Sequence, residues 1–139
     1  MADFHFAHEI ELRVRYSETD QLGTFYNSRP LEWFEVGRTE LLRAMGITYA
    51  QMEMQGLCLP VVEAHITYRG RARYDDLLTV KSKLTAAGKA SLRFDVEITQ
   101  ASSGAPVAAG YTTHAMTDPA GKPMRAPAWL TDLMNKGAR

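Results

Sequence analysis

Asp20 lies in the run Tyr16-Ser17-Glu18-Thr19-Asp20-Gln21-Leu22-Gly23, where a strand-like alternation stops and helix-like spacing is about to start. A carboxylate at such a junction is placed to do chemistry beside the exposed amides of a helix N-terminus, which points to an enzyme. The structural alternative for an Asp in this setting is a turn or cap residue. Asn27 and Ser28 carry side chains typical of helix caps, and Phe25 and Tyr26 suit core or pocket wall. Glu32, Glu35 and Glu40 fall on the solvated or paired face of the coming helix, with Glu35 the one placed to turn inward. His65 and His114 read as strand residues held by local hydrogen bonds. Cys58 lacks the His and Asn setting of a nucleophile and reads as buried and inert. No His/Cys/Asp/Glu cluster has metal-ligand spacing, so neither a metal nor a cofactor is expected.

The elements that must hold these residues follow from periodicity. Ile10, Leu12, Val14 and Tyr16 alternate with charged neighbours and predict a first strand with one wet face. From Pro30 the period changes: Leu31, Phe34, Arg38, Leu41 and Met45, with Trp33 and Leu42, trace the buried stripe of a long helix that stops at Gly46 and has Ser28 as its N-cap. Thr48 with Gln51 predicts a capping box that opens a short second helix, ended by Gly56. Four strands follow at Leu57–Tyr68, Leu77–Leu84, Ser91–Gln100 and Val107–Met116. Ala87-Gly88-Lys89 and Ser102-Ser103-Gly104 make hairpin turns between the later ones. Pro127 opens a C-terminal helix. The result is an α+β layout in which a curved five-stranded antiparallel sheet wraps around one long helix. Gly37, in the middle of that helix, predicts close approach to the sheet, since it costs about 1 kcal/mol against Ala.

The 139 residues, 45% hydrophobic, predict a single domain over 1–139 with a substantial core. Sixteen basic and sixteen acidic side chains cancel, which gives no long-range pull toward nucleic acid or an anionic membrane. A lone cysteine and the lack of a long apolar run predict a soluble cytoplasmic protein. One helix cannot cover both faces of five strands, and Leu57-Cys58-Leu59-Pro60-Val61-Val62 is apolar on both sides. The expectation is therefore a homodimer, and beyond it a dimer of dimers.

Arg15-Tyr16-Ser17-Glu18-Thr19-Asp20-Gln21-Leu22-Gly23, followed by Trp33-Phe34-Glu35-Val36-Gly37-Arg38-Thr39-Glu40-Leu41-Leu42, resembles the signature of hotdog-fold acyl-CoA thioesterases of the 4-hydroxybenzoyl-CoA thioesterase type. Ile66 to Val80 is similar to that family's second and third strands, so the likeness covers nearly the whole chain. The resemblance implies a hotdog fold and hydrolysis of an acyl-CoA to free acid and thiol. It puts the catalytic aspartate on Asp20, as nucleophile or general base, and the polarising backbone N–H on Asn27. Many relatives carry His at the position of Asn27 and Asn-Tyr where this chain has Arg29-Pro30.

Coenzyme A then enters as part of the substrate, and its phosphates ask for local cations: Arg73 and Lys89 first, then Arg71 and Arg125. Arg69, Arg71 and Arg73 leave the second strand together and would share one face of it. Tyr26, Trp33, Leu59, Pro60 and Val62 are the expected lining of the acyl pocket. Two other functions compete. A hotdog enoyl thioester hydratase would pair an Asp with a His where this chain has Phe25. A non-catalytic acyl-CoA sensing module would bind the thioester without cutting it and would have no use for Asp20.

Overall fold

The computed structural model describes residues 5–137. Along the chain run β1 (His5–Arg13), a 3-10 turn (Tyr16–Glu18), α1 (Arg29–Met45), α2 (Tyr49–Met54), β2 (Val61–Tyr68), β3 (Leu77–Gly88), β4 (Ser91–Gln100), β5 (Pro106–Ala115) and α3 (Ala128–Gly137). The strands form one antiparallel sheet in the order β1-β3-β4-β5-β2, so β1 and β2 are its edges.

Period-2 alternation decides which face is buried. Leu92, Phe94, Val96 and Ile98 of β4 join Leu78, Val80 and Leu84 of β3 on one side. Onto that face α1 lays Trp33, Phe34, Gly37, Leu41, Leu42 and Met45. A Cβ at Gly37 would stand 2.6 Å from Ser82 Oγ and 2.9 Å from Val80 Cγ1, so the helix touches β3 where only glycine fits. Gly46 ends α1 in the left-handed region (φ 113°). Thr48 and Gln51 form the expected reciprocal capping box on α2.

Several expectations shift. β1 ends at Arg13; Val14 is buried beyond it, but Tyr16 begins the 3-10 turn and is exposed. Leu31 leaves the helix stripe for solvent. Ser28 occupies the N-cap position, yet its side chain makes no capping hydrogen bond because its backbone is already helical (φ −84°, ψ −14°). β2 starts only at Val61: Leu57 and Leu59 turn into the chain's own core, which leaves Pro60, Val61 and Val62 as the exposed part of that apolar stretch.

The register defines two ends of the sheet. Val61, His114, Leu92 and Ala86 stand in one cross-strand row, and Tyr68, Ala108, Ile98, Val80 and Ile10 in another. The rows are about 20 Å apart at roughly 3.3 Å per residue. β2 carries exposed residues along almost its whole length.

Candidate active site

Between the 3-10 turn and α1 the chain makes a narrow ribbon. Thr19 bridges Phe25, the Tyr26 N–H donates to Glu18 O (2.8 Å), and the Asp20 N–H donates to Thr24 O (2.9 Å). Gly23, at φ 80°, permits the turn at the tip. The ribbon is fastened to the segment after β2, where the Phe25 N–H donates to Ala72 O (3.0 Å). Asp20 therefore sits near the tip of the ribbon and Asn27 just past its base, both at the Tyr68 end of the sheet.

Asp20 is half-buried, and its Oδ1 accepts the Leu22 N–H at 2.8 Å. The turn role of an Asp is thus present, but it occupies one oxygen only. Tyr26, Asn27, Ser28 and Arg29 form a β-turn closed by the Arg29 N–H on Tyr26 O (3.0 Å). Among the described residues, the N–H groups of Asn27 and Ser28 donate to no protein acceptor. They open α1, whose N-terminal end carries partial positive charge. The Arg29 guanidinium donates to Glu32 (2.9 Å) and to Ser17 O (3.1 Å), tying the helix start to the 3-10 turn.

Glu18 was quoted in the sequence only as part of a motif, but it is a buried carboxylate, 3% exposed. It accepts the Arg15 N–H (2.7 Å), the Trp33 indole N–H (2.9 Å) and an arm of Arg15 (3.3 Å). Burial pushes its carboxyl up, but these donors outweigh burial and hold it below the usual carboxylate range. The signal for it was an acidic residue beside an indole one helical turn downstream of the loop, and no spacing rule connects the two. Tyr68, at the end of β2, was also missed. Its hydroxyl donates to Asn27 O, and its ring stacks on Phe25 (centroids 6.2 Å), which meets Trp33 edge-on at 5.2 Å.

The other expected site residues divide. Tyr26 is exposed beside Asn27. Trp33 and Leu59 are 2% and 3% exposed, so they back the surface rather than line it, and they belong to different core clusters. Pro60 and Val62 are exposed but lie toward the far end of β2. Arg71 and Arg73 flank the buried Ala72, whose C=O accepts from the ribbon; they lie in the irregular segment between β2 and β3 rather than in the strand ladder expected for Arg69, Arg71 and Arg73. Lys89, on the β3–β4 turn, and Arg125 are exposed; Lys89 lies beyond the opposite row of the sheet, so within one chain it does not meet Arg73.

His114 is no acid–base partner. It is buried at 1% exposure, its Nδ1 faces Leu59 O (2.9 Å), and its Nε2 faces Thr112 Oγ1 (2.8 Å). A carbonyl can only accept, so Nδ1 carries the proton; burial, helped by the Arg38 charge, keeps the ring neutral. Cys58 is half-buried and exchanges backbone hydrogen bonds with Thr117. Phe25, at the position a hydratase would give to His, is 6% exposed and part of the core. No helix among the described residues is long and apolar enough to cross a membrane.

Comparison with known proteins places this geometry. The thioesterase-like superfamily matches residues 14–134. YneP of Bacillus subtilis is 43% identical over 70 residues, 50% of this chain and 51% of that protein. The acyl-CoA thioesterase YbgC of Haemophilus influenzae is 36% identical over 85 residues, 60% of this chain and 62% of that protein. The matched part thus spans between half and two thirds of those two relatives. Among solved structures, the DHNA-CoA thioesterase of Staphylococcus aureus superposes with a TM-score of 0.84 at 27% identity, over 94% of this chain and 89% of that one. The shared architecture is the hotdog fold.

Proposed function

Because this chain belongs to the thioesterase-like superfamily, we propose that it hydrolyses acyl-CoA thioesters to free acid and thiol, with Asp20 as the reacting carboxylate and the Asn27 N–H as the oxyanion donor. One observation carries the proposal: Asp20, with one carboxylate oxygen uncommitted among the described residues, stands on the ribbon whose base presents two N–H groups that those residues leave unused, at the start of the 17-residue α1. Either of two routes balances. Asp20 forms a bond to the acyl carbon, the C–S bond breaks, the thiolate takes up a proton, and water then hydrolyses the anhydride. Alternatively, Asp20 takes a proton from water as that water attacks, the same C–S bond breaks, and the proton passes on to the leaving thiolate. Both pass through a negative carbonyl oxygen, which preorganised N–H donors stabilise without reorganising.

The exposed edge of β2 suits pairing with β2 of a second copy. Antiparallel pairing reverses the ends, so that Lys89 of the partner subunit comes toward Arg71 and Arg73, and Val62 of the partner subunit toward Tyr26 and Tyr68. In that dimer the basic residues separated within one chain serve one coenzyme A, and the acyl group lies at the junction of the two copies. A thiol-release assay on aromatic and aliphatic acyl-CoAs tests the function. Free thiol supports hydrolysis; binding without release makes the protein a sensor, and loss of enoyl absorbance without thiol makes it a hydratase.

A further inference from the structure

The Asn27 N–H can serve as an oxyanion donor only if its peptide is held in one orientation before substrate arrives, since a donor that must reorient loses most of its advantage. Its own side chain does not provide this, and Ser28 supplies no cap. The Tyr26–Asn27 peptide that carries it is held within the turn by the Arg29 N–H on Tyr26 O (3.0 Å), and further contacts come from outside the turn. On one flank, the Tyr26 N–H is tied to Glu18 O, and the Glu18 carboxylate grips the Trp33 indole on α1. On the other, the Tyr68 hydroxyl donates to Asn27 O, the carbonyl of the next peptide. Tyr68 is 50% exposed at the end of an edge strand, a setting in which a tyrosine ordinarily moves freely. It is held by stacking on buried Phe25, which packs edge-on against Trp33. The contacts close into a ring of Glu18, Trp33, Phe25, Tyr68, Asn27 and, next to it in the chain, Tyr26, whose N–H returns to Glu18 O.

We propose that Tyr68 is a positioning residue for the reaction: through its hydroxyl on the Asn27 carbonyl it locks the Asn27–Ser28 peptide and with it the Ser28 N–H, so that the Asn27 and Ser28 N–H groups keep one relative direction at the start of α1. This rests on the reading of Asn27 as the oxyanion donor. It assigns Tyr68 no contact with the reacting atoms and predicts a defect confined to the chemical step.

Tyr68→Phe keeps the ring and its stack and removes only the hydroxyl. Thiol release from an acyl-CoA should show kcat reduced about tenfold, with KM within about twofold and the thermal midpoint unchanged. Tyr68→Leu, which also removes the stack, should lose more kcat than Tyr68→Phe. Wild-type kcat in Tyr68→Phe overturns the inference, as does a defect that appears in KM alone or that tracks a lowered midpoint. The two readings fail differently. A wild-type protein that releases no thiol sinks the functional reading and this one with it, whereas an active wild type with an equally active Tyr68→Phe sinks only this one.

Discussion

Replacing Glu18 by Gln tests the frame around the ribbon without touching the reacting groups. Two donors, the part-buried Arg15 N–H at 2.7 Å and the buried Trp33 indole N–H at 2.9 Å, point at separate oxygens of the carboxylate. Glutamine offers one oxygen, so in either orientation its NH2 faces a donor. A buried donor left unpaired costs about 1–3 kcal/mol, and the remaining bond loses the added strength of a charged acceptor, so the sum is about 3 kcal/mol. The Arg15 arm adds little, because that side chain is 70% exposed. Urea unfolding at pH 7, followed by tryptophan fluorescence, measures the difference. The pH dependence has a definite sign. With the folded carboxyl held below its ordinary 4.5, the Glu18 contribution is complete above that pH and is lost as pH falls through the lower folded value. The gap between wild type and Glu18→Gln should therefore be constant near neutrality and shrink below about pH 4.5. A difference under about 0.5 kcal/mol at pH 7, or one that persists unchanged to pH 3, refutes the assigned hydrogen bonds.

Two further outcomes follow from the same geometry. Gly37→Ala gains about 1 kcal/mol of helix propensity, but its Cβ collides with Ser82 and Val80 at a cost of about 1–3 kcal/mol, so urea midpoints should show net destabilisation, relieved in part by Ser82→Ala; a stabilised Gly37→Ala contradicts the close approach. Arg71→Glu with Arg73→Glu should raise KM for acyl-CoA about tenfold over a phosphate-free pantetheine thioester, with the effect fading at high salt; equal effects on both substrates remove these arginines from phosphate binding.

What could be read in advance was whatever depends on local periodicity. The β4 alternation, the α1 stripe from Trp33 to Met45, the Thr48 capping box and the tight contact at Gly37 all follow from spacing along a single element. Misreadings came where tertiary context decides. Tyr16 continues the alternation of β1 in sequence, but the chain turns before reaching it, since Glu18 folds back onto the Arg15 N–H. Leu57 and Leu59 look like a strand for a partner, yet each has room in the chain's own core. Tyr68 and Asn27 are 41 positions apart, and no pattern within β2 announces that its last hydroxyl reaches the turn before α1. For the basic residues, residue type was legible, but register was needed to show that Lys89 and Arg73 stand at opposite ends of the sheet. Asp20 is proposed from its junction and its motif; the structure adds that one of its oxygens is already taken by the Leu22 N–H.

That last bond makes Asp20→Asn an informative substitution, because an asparagine oxygen can still accept from Leu22 and the ribbon keeps its turn. The decisive measurement is the rate of thiol release from an acyl-CoA by wild type and by Asp20→Asn, with the thermal midpoint of each recorded alongside. With Asp20 as the reacting carboxylate, Asp20→Asn should lose about a thousandfold in kcat with an unchanged midpoint. An Asp20→Asn protein that releases thiol at the wild-type rate contradicts that role.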